Sequence, residues 1–268
     1  MKTGVVKCVH DAVRFLCEDW KEFTEFEQGY WIGPEGVSFE IEYPELRCIL
    51  HTMPKTDPGI TLRIMLQTLA SATERTSTLD MEELKTSLGV QYIPTEEGSQ
   101  GFYVRGNQCH SWVNANSLHL DWSVTLLNIV EASVIHQWVS ELLGHKIGKM
   151  QVTSPLVTGQ FAKADRDEYL RKAAQDPELL RRKMSFNEYS PFFLGTKDSP
   201  ETVSKDAQVL LDIGATYNVS SRIMKSLFCP ALKAYETAAN PVQCRGFIER
   251  IKIPAWRHAM QQHLFGAS

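Results

Sequence analysis

The stretch from Gly101 to Thr153 constrains this 268-residue chain most, because apolar periods of two and of 3.6 follow one another there in a fixed order. Gly101–Val104 and Cys109–Val113 read as two strands. Arg105-Gly106-Asn107 joins them and supplies the residues a tight hairpin needs. A loop is expected over Asn114–Asp121, then a helix from Leu127 to Leu143 with Val130, Val134, Trp138 and Leu142 on one stripe and Gly144 as its C-terminal cap. Lys149–Thr153 returns as a strand. A hairpin that feeds a helix and then another strand buries its apolar surface by laying helix on sheet. The expected fold class is α+β, a twisted sheet covered by helices.

Around this unit, Val5–Phe23 has helical spacing, and Gly29–Gly36 is a glycine-proline break. Ser38–Leu50 alternates as a strand, with Pro44 forcing an edge position or a bulge. Helices are expected over Ile60–Thr73 and Met81–Leu88. Beyond Pro155 the pattern turns helical and strongly charged. Segments at Asp165–Met184, Ser204–Leu211, Ser220–Leu227 and Pro254–Phe265 divide the chain into an α+β core (1–160) and a helical C-terminal region (161–268).

The apolar share, 43%, is enough for a sizeable core, and charges interrupt every candidate helix, so no membrane span is expected. The N-terminus opens on an amphipathic pattern rather than an apolar signal core, which implies a cytoplasmic protein. A net charge of −4 argues against a broadly basic surface that grips duplex DNA. The six cysteines are scattered, with no CxxC pair and no histidine at zinc spacing, so reduced, buried thiols and no metal site are expected. The chain lacks a glycine-rich phosphate loop, HExxH and GxSxG, which removes several enzyme classes.

Phe102-Tyr103-Val104, the run ending at Ser117, Leu127-Asn128-Ile129 and the helix that leads to Ile147-Gly148 together resemble the core of thymidylate synthase. About fifty residues, a fifth of the chain, carry this resemblance. It implies a thymidylate synthase-like twisted sheet and a homodimer formed through the sheets. Asn128 falls on the family's pyrimidine-reading asparagine and Ser117 on its phosphate-binding serine, while His119 or Asp121 lies near its conserved aspartate.

The departures bear on the chemistry. Glu96, not a cysteine, stands six residues before Phe102, so attack at C6 of a pyrimidine has no thiolate. Asn116 replaces the arginine that precedes the phosphate-binding serine, and a bidentate phosphate contact is lost. Val157-Thr158-Gly159-Gln160 replaces the sugar-holding His-x-Tyr, and Gly33–Gly36 does not match the family's arginine loop. The resemblance therefore implies a diverged relative rather than an ordinary synthase. Viral relatives supply modified pyrimidines for genomes with altered bases, and a host-cytoplasmic enzyme of a hypermodified thymine or uracil pathway fits there. The substrate this resemblance implies is a pyrimidine nucleotide or a modified base in DNA, and no cofactor, folate included, is specified. The other reading is a non-catalytic nucleotide- or partner-binding module on the same scaffold.

Each candidate residue also has a plainer explanation. Asn128 either caps the central helix or meets a pyrimidine edge with its amide. Glu96 and its neighbour Glu97 are a solvated pair or supply a general base. His119 and Asp121, two apart, form a surface pair or an oriented acid-base couple. Trp112 and Trp122 bracket the loop, and each packs in the core or stacks on a base. Cys109 and His136 read as core. The clusters Arg181-Arg182-Lys183 and Arg245–Lys252 are solvated helix faces or contacts to phosphate or single-stranded nucleic acid.

Overall fold

The computed structural model describes residues 1–17, 22–27, 29–33, 35–44, 58–86, 89–95, 98–120, 127–160, 192–195, 197–212 and 218–266. The fold is a mixed α+β architecture with two mixed sheets. The strands are β1 (Lys2–Val6), β2 (Thr24–Glu27), β3 (Tyr30–Ile32), β4 (Val37–Ile41), β5 (Val90–Thr95), β6 (Gly98–Arg105), β7 (Gln108–Ala115), β8 (Leu118–Leu120), β9 (Lys146–Ser154) and β10 (Val157–Gln160). The helices are α1 (Val9–Cys17), α2 (Pro58–Thr76), α3 (Met81–Lys85), α4 (Leu127–Leu143), α5 (Pro200–Leu211), α6 (Cys229–Glu236), α7 (Pro241–Glu249) and α8 (Pro254–Phe265). The larger sheet runs β1-β4-β9-β7-β6-β5 and the smaller one β2-β3-β10-β8.

The β6–β7 hairpin forms as its turn residues require, with Gly106 at φ 58° and Asn107 at φ 65°. Period-two alternation then divides the large sheet into two unlike faces. On one, Phe39, Ile41, Ile93, Phe102, Val104, Cys109, Val113, Met150 and Val152 are buried. Helices α1, α2 and α4 lie against this face, and Trp138 of α4 and Met65 of α2 are fully buried in the same core. The other face carries a lateral row, Tyr92–Gly101–Trp112–Gln151–Glu40–Val5, and beside it Val90–Tyr103–His110. Here the side chains are half-buried or exposed, Tyr92 by 54% and Val5 by 65%. Gly101 belongs to that row for a steric reason. A Cβ there would stand 2.6 Å from the Trp112 indole, which Tyr92 meets edge-on with ring centroids 5.0 Å apart.

The N-terminus corrects the sequence reading. Residues 2–6 form a strand parallel to β4, and the helix starts only at Val9. Val5 and Val6 fit a helical period by coincidence, and pairing with β4 overrides it. β4 in turn lies between β1 and β9 and ends before Pro44, so that proline forces no edge. The segment expected as loop over 114–121 contains β8, and residues 157–160 form β10. The charged segment at 165–184 lies outside the described residues.

The C-terminal helices pack onto the core. α5 runs along α2, and Thr73 Oγ1 lies 2.7 Å from Ser204 Oγ. The Glu141 carboxylate, buried near the end of α4, accepts from the backbone amides of Phe192 (2.5 Å), Phe193 (2.9 Å) and Leu194 (2.7 Å) and from Gln137 Nε2 (2.7 Å). Burial raises its pKa and these donors oppose the rise. A single carboxylate thereby fixes the 192–194 segment to the core helix. Further on, a π-turn (Met224–Phe228) leads without a break into α6. Pro230 has no amide hydrogen to give Ser226, and the Lys252 amide donates to the Ser226 carbonyl instead (2.9 Å).

Candidate functional site: a bend shared by two sheets

Two parallel strands build the site. β7 and β9 pair parallel in the large sheet, and their continuations β8 and β10 pair parallel in the small one. Both chains bend at the crossing, after Ala115 and after Ser154, where Pro155 removes a donor from the ladder. The Leu118 amide donates to the Leu156 carbonyl across the bend (2.9 Å), and Ser154 Oγ donates to the same carbonyl (2.8 Å). Gly36 packs against this corner, since a Cβ there would stand 2.9 Å from the Ser154 carbonyl.

The first turn of α4 comes down beside the bend. Its helix begins at Leu127, so Asn128 is a first-turn residue rather than the cap. The amide donates through Nδ2 to the Ser117 carbonyl (3.3 Å), whereas an N-cap side chain accepts from the helix backbone. Asn128 thus ties the helix start to the strand crossing. His119 pairs with Thr158 in the β8–β10 register, and its Nδ1 lies 2.9 Å from Thr158 Oγ1. Ser117, His119 and Asn128 are half-buried, and Asn116 is exposed at the same corner.

Of the residues singled out in the sequence, Asn116, Ser117, His119 and Asn128 come together here. Trp112 does not join them. It lies on the opposite face of the sheet from α4, among Tyr92 and Tyr103. Glu96 and Asp121 lie outside the described residues, as does Trp122. The strand ends that flank position 96, Thr95 and Gly98, pair with each other, and Gly98 pairs with Ala115 at the start of the bend.

Sequence reasoning missed Thr158, which gives His119 its partner. It also missed a polar seam beneath α4. Gln100 is fully buried, donating from Nε2 to the Ala132 carbonyl (2.9 Å), and His136 Nε2 lies 2.7 Å from the Cys109 carbonyl. Gln100 Oε1, Ser111 Oγ and His136 Nδ1 have no partner among the described residues. The signal was present: Gln100 and Ser111 occupy strand positions where period two calls for apolar side chains.

Cys109, Cys229 and Cys244 are not activated nucleophiles. Burial pushes Cys109 up to about 12 against a weaker opposing bond from Ser140, and it pushes Cys229 up to about 11. Burial also raises Cys244. Among the described residues no group of three or more His, Cys, Asp or Glu side chains is placed to hold a metal, and no helix is long and apolar enough to cross a membrane. No protein-family model matches the chain, and no curated protein matches it.

Proposed function

We propose that the chain is a diverged, thymidylate synthase-like protein that recognises a pyrimidine, as free nucleotide or as a base in DNA, at the bend between its two sheets. The observation that carries this reading is Asn128, held at the start of α4 against the Ser117 carbonyl. A side-chain amide that both donates and accepts can match one edge of a pyrimidine, and an ill-matched base would leave it unpaired. In the transferase form of the reading, Ser117 and Asn116 meet phosphate, and His119, backed by Thr158, moves a proton together with Glu96 or Asp121. The raised pKa values of Cys109, Cys229 and Cys244 favour the second form, a binding module without covalent chemistry, because none of these three is a thiolate at neutral pH.

The partner in either form is a second copy of the chain. The sheet face that bears Tyr92, Tyr103 and Trp112 supports this, as rows of exposed and half-buried aromatics mark interfaces. Sedimentation equilibrium of wild type and Trp112→Glu reads the dimer directly; an unchanged mass for the variant would remove this face from consideration.

The experiment for function is incubation with dUMP, 5-hydroxymethyl-dUMP and single- or double-stranded DNA that contains each base, read by calorimetry and mass spectrometry. A mass change identifies the transferase form, and saturable binding without it identifies the module. Absence of binding to every pyrimidine refutes both, as does undiminished binding by Asn128→Ala.

A further inference from the structure

The charge of the chain is unevenly placed. Residues 222–268 contain seven lysines and arginines against two glutamates, a net of +5 in a chain whose total is −4, so residues 1–221 carry −9. The positive end is the π-turn with α6, α7 and α8, which form one packed unit. Within it Cys244, Ile248, Ile251, Trp256 and Met260 are buried, and the cations are left outside. Lys225, Arg245, Arg250 and Lys252 are exposed. None of these four is in an ion pair among the described residues, although Glu236 and Glu249 share the surface.

Rings hold two of these cations. Arg245 lies over Phe265 of α8 at 4.9 Å from the ring centroid. On the other flank of α7, Arg250 and Lys233 both lie over Phe247, at 5.1 and 5.7 Å. A ring leaves a cation's charge uncancelled, whereas a carboxylate partner makes the pair neutral. The ordinary fate of a basic helix face is a mixture of signs at similar density; here α7 is a ridge with an arginine-on-phenylalanine pair on each flank.

We infer that this ridge binds single-stranded nucleic acid. Phosphates meet Arg245, Arg250 and Lys252, and unstacked bases join the guanidinium–phenylalanine stacks, the combination that grips single strands without reading sequence. A duplex hides its base faces and would use only the charges. A lipid surface would need rings standing beyond the cations, and Phe247 and Phe265 are half-buried behind them. The inference does not rest on the pyrimidine reading, because the ridge and the strand bend share no residues.

The test is fluorescence anisotropy of the intact chain with a labelled 20-nucleotide single strand, as DNA and as RNA, between 50 and 200 mM NaCl. The duplex of the same sequence and phosphatidylserine vesicles are measured alongside. The expected single-strand Kd is on the order of 10 µM at the lowest salt, with a log–log salt slope near −2 from three phosphates at about 0.7 each. The DNA and RNA arms decide which strand is preferred. Combined Arg245→Ala, Arg250→Ala and Lys252→Ala is expected to weaken binding at least tenfold and flatten the slope. Phe247→Leu is expected to weaken it about fivefold with the slope kept. Lys85→Ala, which removes a surface cation of α3 outside both the ridge and the strand bend, is expected to leave it unchanged. No binding of either strand, full binding by the triple variant, or tighter binding of the duplex or of the vesicles overturns the inference.

Discussion

His136 provides a direct test of the core. The imidazole is fully buried on α4, donates from Nε2 to the Cys109 carbonyl at 2.7 Å, and has no acceptor for a proton on Nδ1. Burial, opposed by the Cys109 bond and reinforced by nearby His110, lowers its pKa from 6.5 to about 4. A folded-state pKa below the unfolded value means that the unfolded chain binds the proton first. The stabilisation is therefore complete above pH 6.5 and is lost as pH falls from there toward 4. At about 1.4 kcal/mol per unit, the loss between pH 7.5 and pH 5 is about 2 kcal/mol. His110 adds a smaller loss of the same sign, because burial and then Lys149 lower its pKa as well. Urea unfolding at pH 7.5, 6.5, 5.5 and 5.0 measures the sum. His136→Gln keeps a donor toward Cys109 but cannot titrate, so its stability is expected to fall by about 2 kcal/mol less than that of wild type over the same range. An unaltered pH dependence in the variant, or an imidazole that titrates near 6.5 by NMR, would refute the reasoning.

Glu141→Gln places an amide group among backbone donors, and a loss of about 3 kcal/mol is expected in urea unfolding; a loss below about 1 kcal/mol would mean that the carboxylate does not fix residues 192–194. Ser111→Ala removes a buried hydroxyl that has no partner, so stability is expected to rise by about 1 kcal/mol, whereas a fall would reveal a bond to that oxygen. At Gly98, φ is +148° and a Cβ would stand 1.9 Å from the Asn114 carbonyl. Gly98→Ala is accordingly expected to cost about 3 kcal/mol or more, and a thermal melt within 2 °C of wild type would contradict this backbone.

The elements legible from sequence were those whose local chemistry agreed with their tertiary role. Gly106-Asn107 can hardly do anything but turn, and Pro254–Phe265 became a helix with the boundaries its spacing gave. The strands β8 and β10 were not legible, because elements of three or four residues carry no period and exist only through mutual pairing. The same limit applied to the site. The sequence singles out Asn128 and Ser117, which lie together, but the contact of His119 with Thr158 joins positions 39 apart and depends on where two strands bend. Trp112 lies apart from these residues for a different reason. It shares strand parity with His110, opposite to Cys109 and Val113, and parity alone sends it to the face away from α4.

Pro230 has a consequence for how the C-terminal helices tolerate change. The proline strips Ser226 of its helical donor, and the amide that takes the place comes from Lys252, between α7 and α8. The length of that connection is therefore a bonded quantity and not a spacer. An inserted residue between Arg250 and Pro254 would withdraw the Lys252 amide and leave a carbonyl inside the buried turn with no hydrogen to accept. Lengthening a surface loop is ordinarily cheap. Here it would unpick the seam that joins three helices, and with it the alignment of Arg245 and Arg250 on their rings.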